Sequence, residues 1–448
     1  MPISFKKFRF FYRFFTALVS RYYPQILIGI AVGAASFLIL PKLPRIVIFR
    51  PTSTFAVIGR YTTSNLPIFI QRLASLGLTT IDESGLPSTG LAQSWEATDS
   101  GKTYIFTLQP NIYWQDGKPL KSEDIKYNFK DASVSYPDPA HLKIILPDPY
   151  SPLPAVISTP VFKPNFIGTG SYKIVSIKKN GPYIDSLVLN PVDPRSRSPK
   201  LKYYFFPTES LVRLSYKLGL TGTILDISEP QELAKWANTD VIRVTHKDRY
   251  VAVFFNTQSP DFSSTAGKNL RLALAYAIDK SRWPNDDRAY GPISPLSWAY
   301  NSDTKKYEFD LDRARSLFSK LDEKPDSLTI TTVPAYLEAA ENIKSDWESL
   351  GIEVNISVSP DIPQDFSALL VAQAIPSDPD QYYFWHSTQP GNLTSLKNPR
   401  IDKLLEDGRK TQDLSARAGI YKDFQRYLAE EIPAIFLFHP HSYTITRH

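Results

Sequence analysis

The residues Leu91-Ala92-Gln93-Ser94-Trp95-Glu96 are followed by Asp99-Ser100-Gly101-Lys102-Thr103-Tyr104-Ile105-Phe106-Thr107-Leu108, then by Trp114-Gln115-Asp116-Gly117-Lys118-Pro119-Leu120 and Ser122-Glu123-Asp124-Ile125. The stretch reads as a β-turn-β-turn-helix unit. Tyr104, Phe106 and Leu108 alternate along one strand face, with Thr103, Ile105 and Thr107 on the other. Asp99-Ser100-Gly101 is a turn before that strand, and Asp116-Gly117 a turn after the next. Ser122 is a predicted helix N-cap, with Glu123 and Asp124 in the first turn, where the helix dipole favours acids.

Around this unit the chain runs to 448 residues, 42% of them hydrophobic and 21% charged. That is enough for two or three domains with large cores, and too polar for a membrane bundle. There is no cysteine, which excludes disulfides, zinc–thiolate sites, iron–sulfur clusters, a cysteine nucleophile and a lipidated cysteine anchor. The net charge is +6, but Lys6, Lys7, Arg9, Arg13, Arg21, Lys42, Arg45 and Arg50 lie in a first 50 residues without Asp or Glu, leaving 43 cations against 45 anions elsewhere. The basicity belongs to the N-terminus, so no nucleic-acid partner is expected.

Between Arg21 and Lys42 lie twenty uncharged residues, with an apolar run from Ile26 to Leu40. That length suffices to span a bilayer as a helix. Tyr22 and Tyr23 suit its interface, and the upstream cations put residues 1–21 on the cytoplasmic side. A cleaved signal segment is the alternative, with Ala34, Ala35 and Ser36 as small cleavage-site residues. The run continues through Phe37 to Leu40, which favours an uncleaved anchor over 22–41.

Farther on, Ile46 to Phe49 reads as a first strand and Leu66 to Leu76 as a helix. Prolines at 137, 139, 147, 149, 152, 154, 160 and 164 predict extended surface loops. Gly168-Thr169-Gly170 lacks the spacing of a phosphate or dinucleotide loop and reads as a turn into the strand that follows. Leu201 to Thr208 is a strand, Ser210 to Leu218 a short helix and Thr223 to Ile227 another strand. Tyr250 to Thr257 is a strand and Asn269 to Lys280 an amphipathic helix. Asp310 caps a helix carrying Leu311, Ala314, Leu317 and Phe318. Residues 328–358 form a βαβ unit, which implies a parallel strand pair. Ser367 to Val371 is a buried strand. Ile420, Tyr421, Phe424, Tyr427 and Leu428 line a helix, and Glu430 to Phe438 ends the chain as a strand.

Taken in order, Leu91 to Ile125, Gly168 to Val175, Tyr250 to Lys280, Gly291 to Pro295 with Trp298 to Tyr300, Phe309 to Ala314 and Ile375 to Phe438 resemble the solute-binding proteins of peptide/nickel-type ABC importers, the extracellular solute-binding family 5. The resemblance covers about residues 46–445. It implies an α/β, two-lobed periplasmic-binding-protein type II fold with mixed sheets and a hinge-closed cleft. Lobe I would be 42–250, with 435–448 returning to it, and lobe II 256–430, with Tyr250 to Thr257 crossing between them. It also implies a membrane-anchored extracytoplasmic component that takes a peptide or other small solute and delivers it to ABC permease subunits. A monomer without cofactor is expected. A tethered sensor or adhesion module that kept the fold without transport is the alternative.

Such a cleft needs aromatic walls and a few placed polar groups. The candidate ligand-binding residues are Asn256, Trp298, Asp378, Asp380, Tyr382, Trp385 and Asn392. Their plainer readings are core packing for the two tryptophans and turn capping beside Pro379 for the two aspartates. Aligned on Asp378-Pro379-Asp380, the acid that pairs a peptide's α-amine in peptide-binding members falls at Ile375. Isoleucine cannot pair an ammonium, so an α-amine is expected to contribute little. None of His141, His246, His386, His439, His441 and His448 sits in a metal or triad motif, and no nucleophile elbow or metalloprotease motif is present, so no catalytic activity is expected. His439 and His441 are expected on one side of a strand, as a surface pair.

Overall fold

The computed structural model describes residues 16, 19–25, 27–34 and 51–448. The chain divides into two units. One holds residues 1–51 and 195–199, with helix over 19–25 and 27–34. Among the described residues no helix is long and apolar enough to cross a membrane. The strand expected at Ile46 to Phe49 and the stretch 35–41 of the expected anchor lie outside the described residues.

The other unit, 52–194 with 200–448, carries the sheets. Its first strand is β1 (Thr52–Ile58), followed by α1 (Ile68–Ala74) and a hairpin of β2 (Thr79–Ile81) and β3 (Pro87–Thr89). The opening motif then builds an antiparallel sheet from β4 (Ala92–Thr98), β5 (Thr103–Leu108), β6 (Ser133–Asp138) and β7 (His141–Ile145), in the order β4-β5-β7-β6. Alternation decides its faces: Tyr104, Phe106 and Leu108 pack with Trp114, Leu142, Ile144, Leu153 and Ile157. Two expectations change here. The helix at Ser122 is only a 3-10 turn, Ser122–Asp124. The Ser122 hydroxyl donates to the Asp138 carbonyl at 2.6 Å, and Asp124 accepts from Trp114 Nε1 at 3.0 Å, so tertiary bonds take the groups that would have capped a helix. The proline-rich stretch is also more ordered than extended loops, because Pro137 sits in β6, an edge strand where a missing N–H costs little.

Gly168 and Gly170 lead into β8 (Tyr172–Asn180). A Cβ at Gly168 would stand 2.1 Å from the Ala74 carbonyl oxygen, so the turn needs glycine to pass under the end of α1. β9 (Tyr183–Pro191), β10 (Lys200–Phe206), α2 (Glu209–Lys217), β11 (Thr223–Ile227) and β12 (Thr239–Thr245) complete this run. With β18 (His441–Arg447) they form a seven-stranded sheet ordered β12-β18-β11-β1-β10-β9-β8, in which β1 runs parallel to β10 and β11. The Thr208 side chain caps α2, whose Val212 and Tyr216 pack with Ala56, Ile224 and Ile445.

Lobe II is a five-stranded sheet in the order β15-β14-β16-β13-β17. Its elements are β13 (Arg249–Phe255), α3 (Thr265–Ala277), α4 (Leu311–Ser319), β14 (Ser327–Thr332), α5 (Leu337–Glu348), β15 (Glu353–Val358), β16 (Ala368–Ala374), α6 (Pro399–Lys410), α7 (Leu414–Glu431) and β17 (Ala434–Phe438). β14 and β15 pair in parallel, Ile330 beside Ile356, and Asp310 caps α4 through the Arg313 N–H. Both faces of β13 are covered: Val251, Val253 and Phe255 pack with Leu274 of α3 and Trp347 of α5, while Tyr250, Ala252 and Phe254 pack with Tyr421 and Phe424 of α7.

The links between lobes differ from expectation. β13 pairs wholly within lobe II, so the crossing is His246 to Asp248 rather than Tyr250 to Thr257. The chain also ends in two strands, β17 in lobe II and β18 in lobe I. Pro440 has no N–H to continue a ladder, and with His439 it makes the second crossing. His439 and His441 therefore do not share a strand. His439 is buried, with Nδ1 2.7 Å from the Arg249 carbonyl.

Candidate functional site

The two lobes touch along one line. The Ser151 N–H donates to the Arg409 carbonyl at 2.7 Å, and its hydroxyl to that of Gly408 at 3.1 Å. The Tyr104 hydroxyl donates to Gln412 Oε1 at 2.9 Å, and the Trp298 N–H to the Ser84 carbonyl at 3.1 Å. Gly85, with φ +84°, passes so close that a Cβ would stand 2.9 Å from the Ser377 carbonyl oxygen. The cleft is closed.

Cavities follow the same line. One of 260 Å³ lies between the lobe I turn Asp82–Gly85 and Lys247, Leu296 and Ile375. The next, 340 Å³, is walled by Tyr150, Val156, Asp378, Asp380, Tyr383 and Arg409. The largest, 730 Å³, lies between Phe129–Ala132 and Leu146–Tyr150 on one side and Tyr382, Glu406, Arg409 and Lys410 on the other. The first two share Pro376 and Ser377; the last two share Tyr150, Val156 and Arg409. Volumes of this size suit small organic ligands.

Asp378-Pro379-Asp380 sits where the cavities meet, with both acids answered by arginine. Asp378 is buried, and Arg417 donates to it at 2.6 and 2.8 Å. Burial pushes the Asp378 carboxyl up, while the Arg417 bonds pull it down. Asp380 accepts from Arg409 Nε at 2.9 Å and from Nη2 at 2.9 Å. The Arg409 guanidinium also lies 4.0 Å from the Tyr382 ring centre and 5.4 Å from that of Tyr150, the geometry of cation–π stacking. Each aspartate accepts a backbone N–H two residues on, so the turn-capping reading applies as well.

The remaining candidates divide. Trp298 adjoins the interlobe contact, edge-on to Tyr421 and 5.4 Å from Arg417, with a buried Nε1 that has no hydrogen-bond partner among the described residues. Trp385 is buried in the lobe II core between Phe254 and Phe436. Asn392 is buried and donates to the Leu396 carbonyl at 3.0 Å, and Asn256 accepts from the Gln258 N–H at 3.1 Å in the turn after β13. These last three line none of the cavities described above. Ile375 is buried, its N–H donating to the Asp248 carbonyl at 2.7 Å, and it lines the smallest cavity. That cavity also holds carboxylates. Asp82 is engaged by Ser84 and Leu86 and Asp248 by Arg249, while Glu83 faces the same space. Among the described residues, no three His, Cys, Asp or Glu side chains are grouped to hold a metal ion.

Sequence reasoning missed Arg409, Arg417, Tyr150 and Val156. The two arginines carried no local signal, since their partners lie 29 and 39 residues away along the chain. Tyr150 and Val156 were hidden in the proline-rich stretch.

Residues 87–142 and 130–395 match the model of the bacterial extracellular solute-binding proteins, family 5. The chain belongs to this family. Its relatives include the probable D,D-dipeptide-binding periplasmic protein DdpA of Escherichia coli (strain K12), 24% identical with 78% of each chain covered. The oligopeptide-binding protein AppA of Bacillus subtilis (strain 168) is 22% identical, with 86% of this chain and 84% of that one covered. Among solved structures, NikZ of Campylobacter jejuni in complex with Ni(L-His) superimposes with a TM-score of 0.71 at 23% identity, covering 89% of this chain and 94% of that one. The likeness establishes the two-lobed type II periplasmic-binding-protein fold and, with the family match, a solute-binding role.

Proposed function

We propose that this chain is the extracytoplasmic binding component of an ABC importer. It takes a peptide or other small solute in the cleft between its lobes and presents it to a permease. The observation that carries this reading is the row of adjoining cavities, 260, 340 and 730 Å³, along the line where the two lobes touch. Relatives named as dipeptide- and oligopeptide-binding proteins support a peptide-like solute.

Asp378 and Asp380 are each saturated by an arginine, and Ile375 stands where an amine-binding acid is expected. A free α-amine is therefore not the main handle on the ligand, and the acids left along the cavities are Glu83 in the smallest and Asp131 and Asp148 in the largest. The segment 22–41 holds the chain to the outer face of the membrane, on the strength of its twenty uncharged residues and the cations before it. Isolation of the full chain from its host membranes tests both parts. The expected result is a mature mass that includes residues 22–41 and co-purification with permease subunits. A mature N-terminus near Ser36, or a preparation without permease under conditions that preserve such complexes, would count against it.

A further inference from the structure

Among the described residues, the outward side of α2 is unpartnered. Leu211, Leu214 and Leu218 fall at i, i+3 and i+7, on one stripe, and are 43%, 48% and 75% exposed. Leu220, in the turn that follows, is also exposed. Four adjoining leucines make a larger apolar patch than scattered surface positions give, and such patches mark interaction sites.

The patch has a definite place in the fold. The Gly222 N–H donates to the Thr54 carbonyl at 3.1 Å, so the turn after α2 lies at the sheet edge where β1 begins. β10 begins there too, with Lys200 opposite Thr52. Trp236, half-buried against Tyr216, precedes β12 at the same edge, where Thr239 pairs with Arg447. Both crossings to lobe II leave from the other end of the sheet, at Thr245 and His441. The chain reaches Thr52 from the apolar segment 22–41 through residues 42–51, which span about 35 Å at most when extended.

We propose that the leucine row of α2 and its following turn dock on the phospholipid surface, so that this edge of lobe I stands next to the membrane. The inference rests on the anchor reading above. The leucines suit the acyl boundary, while Trp236 and Lys200 suit the headgroup level. The short leash keeps this edge near the bilayer, so docking needs no long-range ordering.

The absence of cysteine from the sequence makes single-site labelling direct. Nitroxide labels are placed on L218C, on G29C in the anchor and on S64C, an exposed position after β1, each in the full chain in phosphatidylcholine–phosphatidylglycerol vesicles. The expected result is an oxygen-to-nickel-chelate accessibility ratio at 218 about threefold above that at 64, with 29 higher still. A label at 29 in hydrocarbon with 218 equal to 64 overturns the docking and leaves the anchor standing. A label at 29 as wet as that at 64 overturns the anchor reading and this inference with it. Strong spin–spin broadening between L218C labels would give the face to a second copy and likewise overturn the proposal.

Discussion

Arg417 meets Asp378 with both Nη atoms, at 2.8 and 2.6 Å, while its Nε donates to the Gly408 carbonyl at 2.7 Å. One buried side chain thus ties α7 to α6 and to the loop that forms the floor of the cleft. The pair is a device for shape rather than for ligand charge, because Arg417 takes both carboxylate oxygens of Asp378 where it borders the 340 Å³ cavity.

Removing one partner should therefore cost more than removing both. Arg417→Ala leaves a buried carboxylate alone, and the expected loss is about 3–5 kcal/mol in denaturant unfolding. The double variant Asp378→Leu with Arg417→Met should recover most of that loss. A double variant as unstable as the single would show that the ion pair itself, and not the stranded charge, sets the cost.

Arg409 stands at the junction of the two larger cavities and is only partly buried. Arg409→Ala is expected to weaken solute binding about tenfold or more by calorimetry, and to lower the melting temperature as well, because it strands the mostly buried Asp380 carboxylate. Unchanged affinity would remove Arg409 from the ligand site.

Comparison of a peptide with its N-acetylated form addresses the amine directly. The two affinities should lie within about threefold of each other, a difference below about 1 kcal/mol. A large loss on acetylation, abolished by Glu83→Gln, would move recognition to the smallest cavity and its acid.

Gly85 of lobe I meets Ser377 of lobe II where the lobes touch. Gly85→Ala adds a Cβ 2.9 Å from the Ser377 carbonyl oxygen at a positive φ, so the open form should gain population. Small-angle scattering should show a larger radius for the variant with solute present, and wild-type closure there would contradict the contact.

The crossing at His439 gives the fold a dependence on pH. Burial pushes the His439 imidazole below its usual range. The unfolded chain takes up that proton near pH 6.5, while the folded chain does so only at lower pH. The unfolded state then binds more protons, so stability is complete above about pH 6.5 and falls as pH drops toward the folded value, by about 1.4 kcal/mol per pH unit at most. Urea midpoints at pH 7.5 and 5.5 should differ by less in His439→Gln than in the wild type.

The sequence displayed the lobes better than the site. Tyr104, Phe106 and Leu108 announce a half-buried strand, and Leu328 to Val358 announce a parallel pair, because period and burial are local properties of the chain. The Ser122 turn went the other way, since Asp138 and Trp114 claimed its polar groups across the fold. Asp378 and Asp380 were legible as notable residues, but Arg417 and Arg409 were not, because an ion pair between distant segments leaves no mark on spacing. Pro440 was the readable clue to the second crossing, a residue without an N–H between two strand-like runs.

The most direct test of the cleft is native mass spectrometry of the full chain purified from its host in mild detergent, beside Val156→Trp. Val156 is 45% exposed and borders both larger cavities, so the indole fills the cleft without entering a core. The expected result is a small solute retained on the wild type and lost from the variant. The same solute retained on both, or a wild-type chain that stays bare after exposure to host extract, would contradict it.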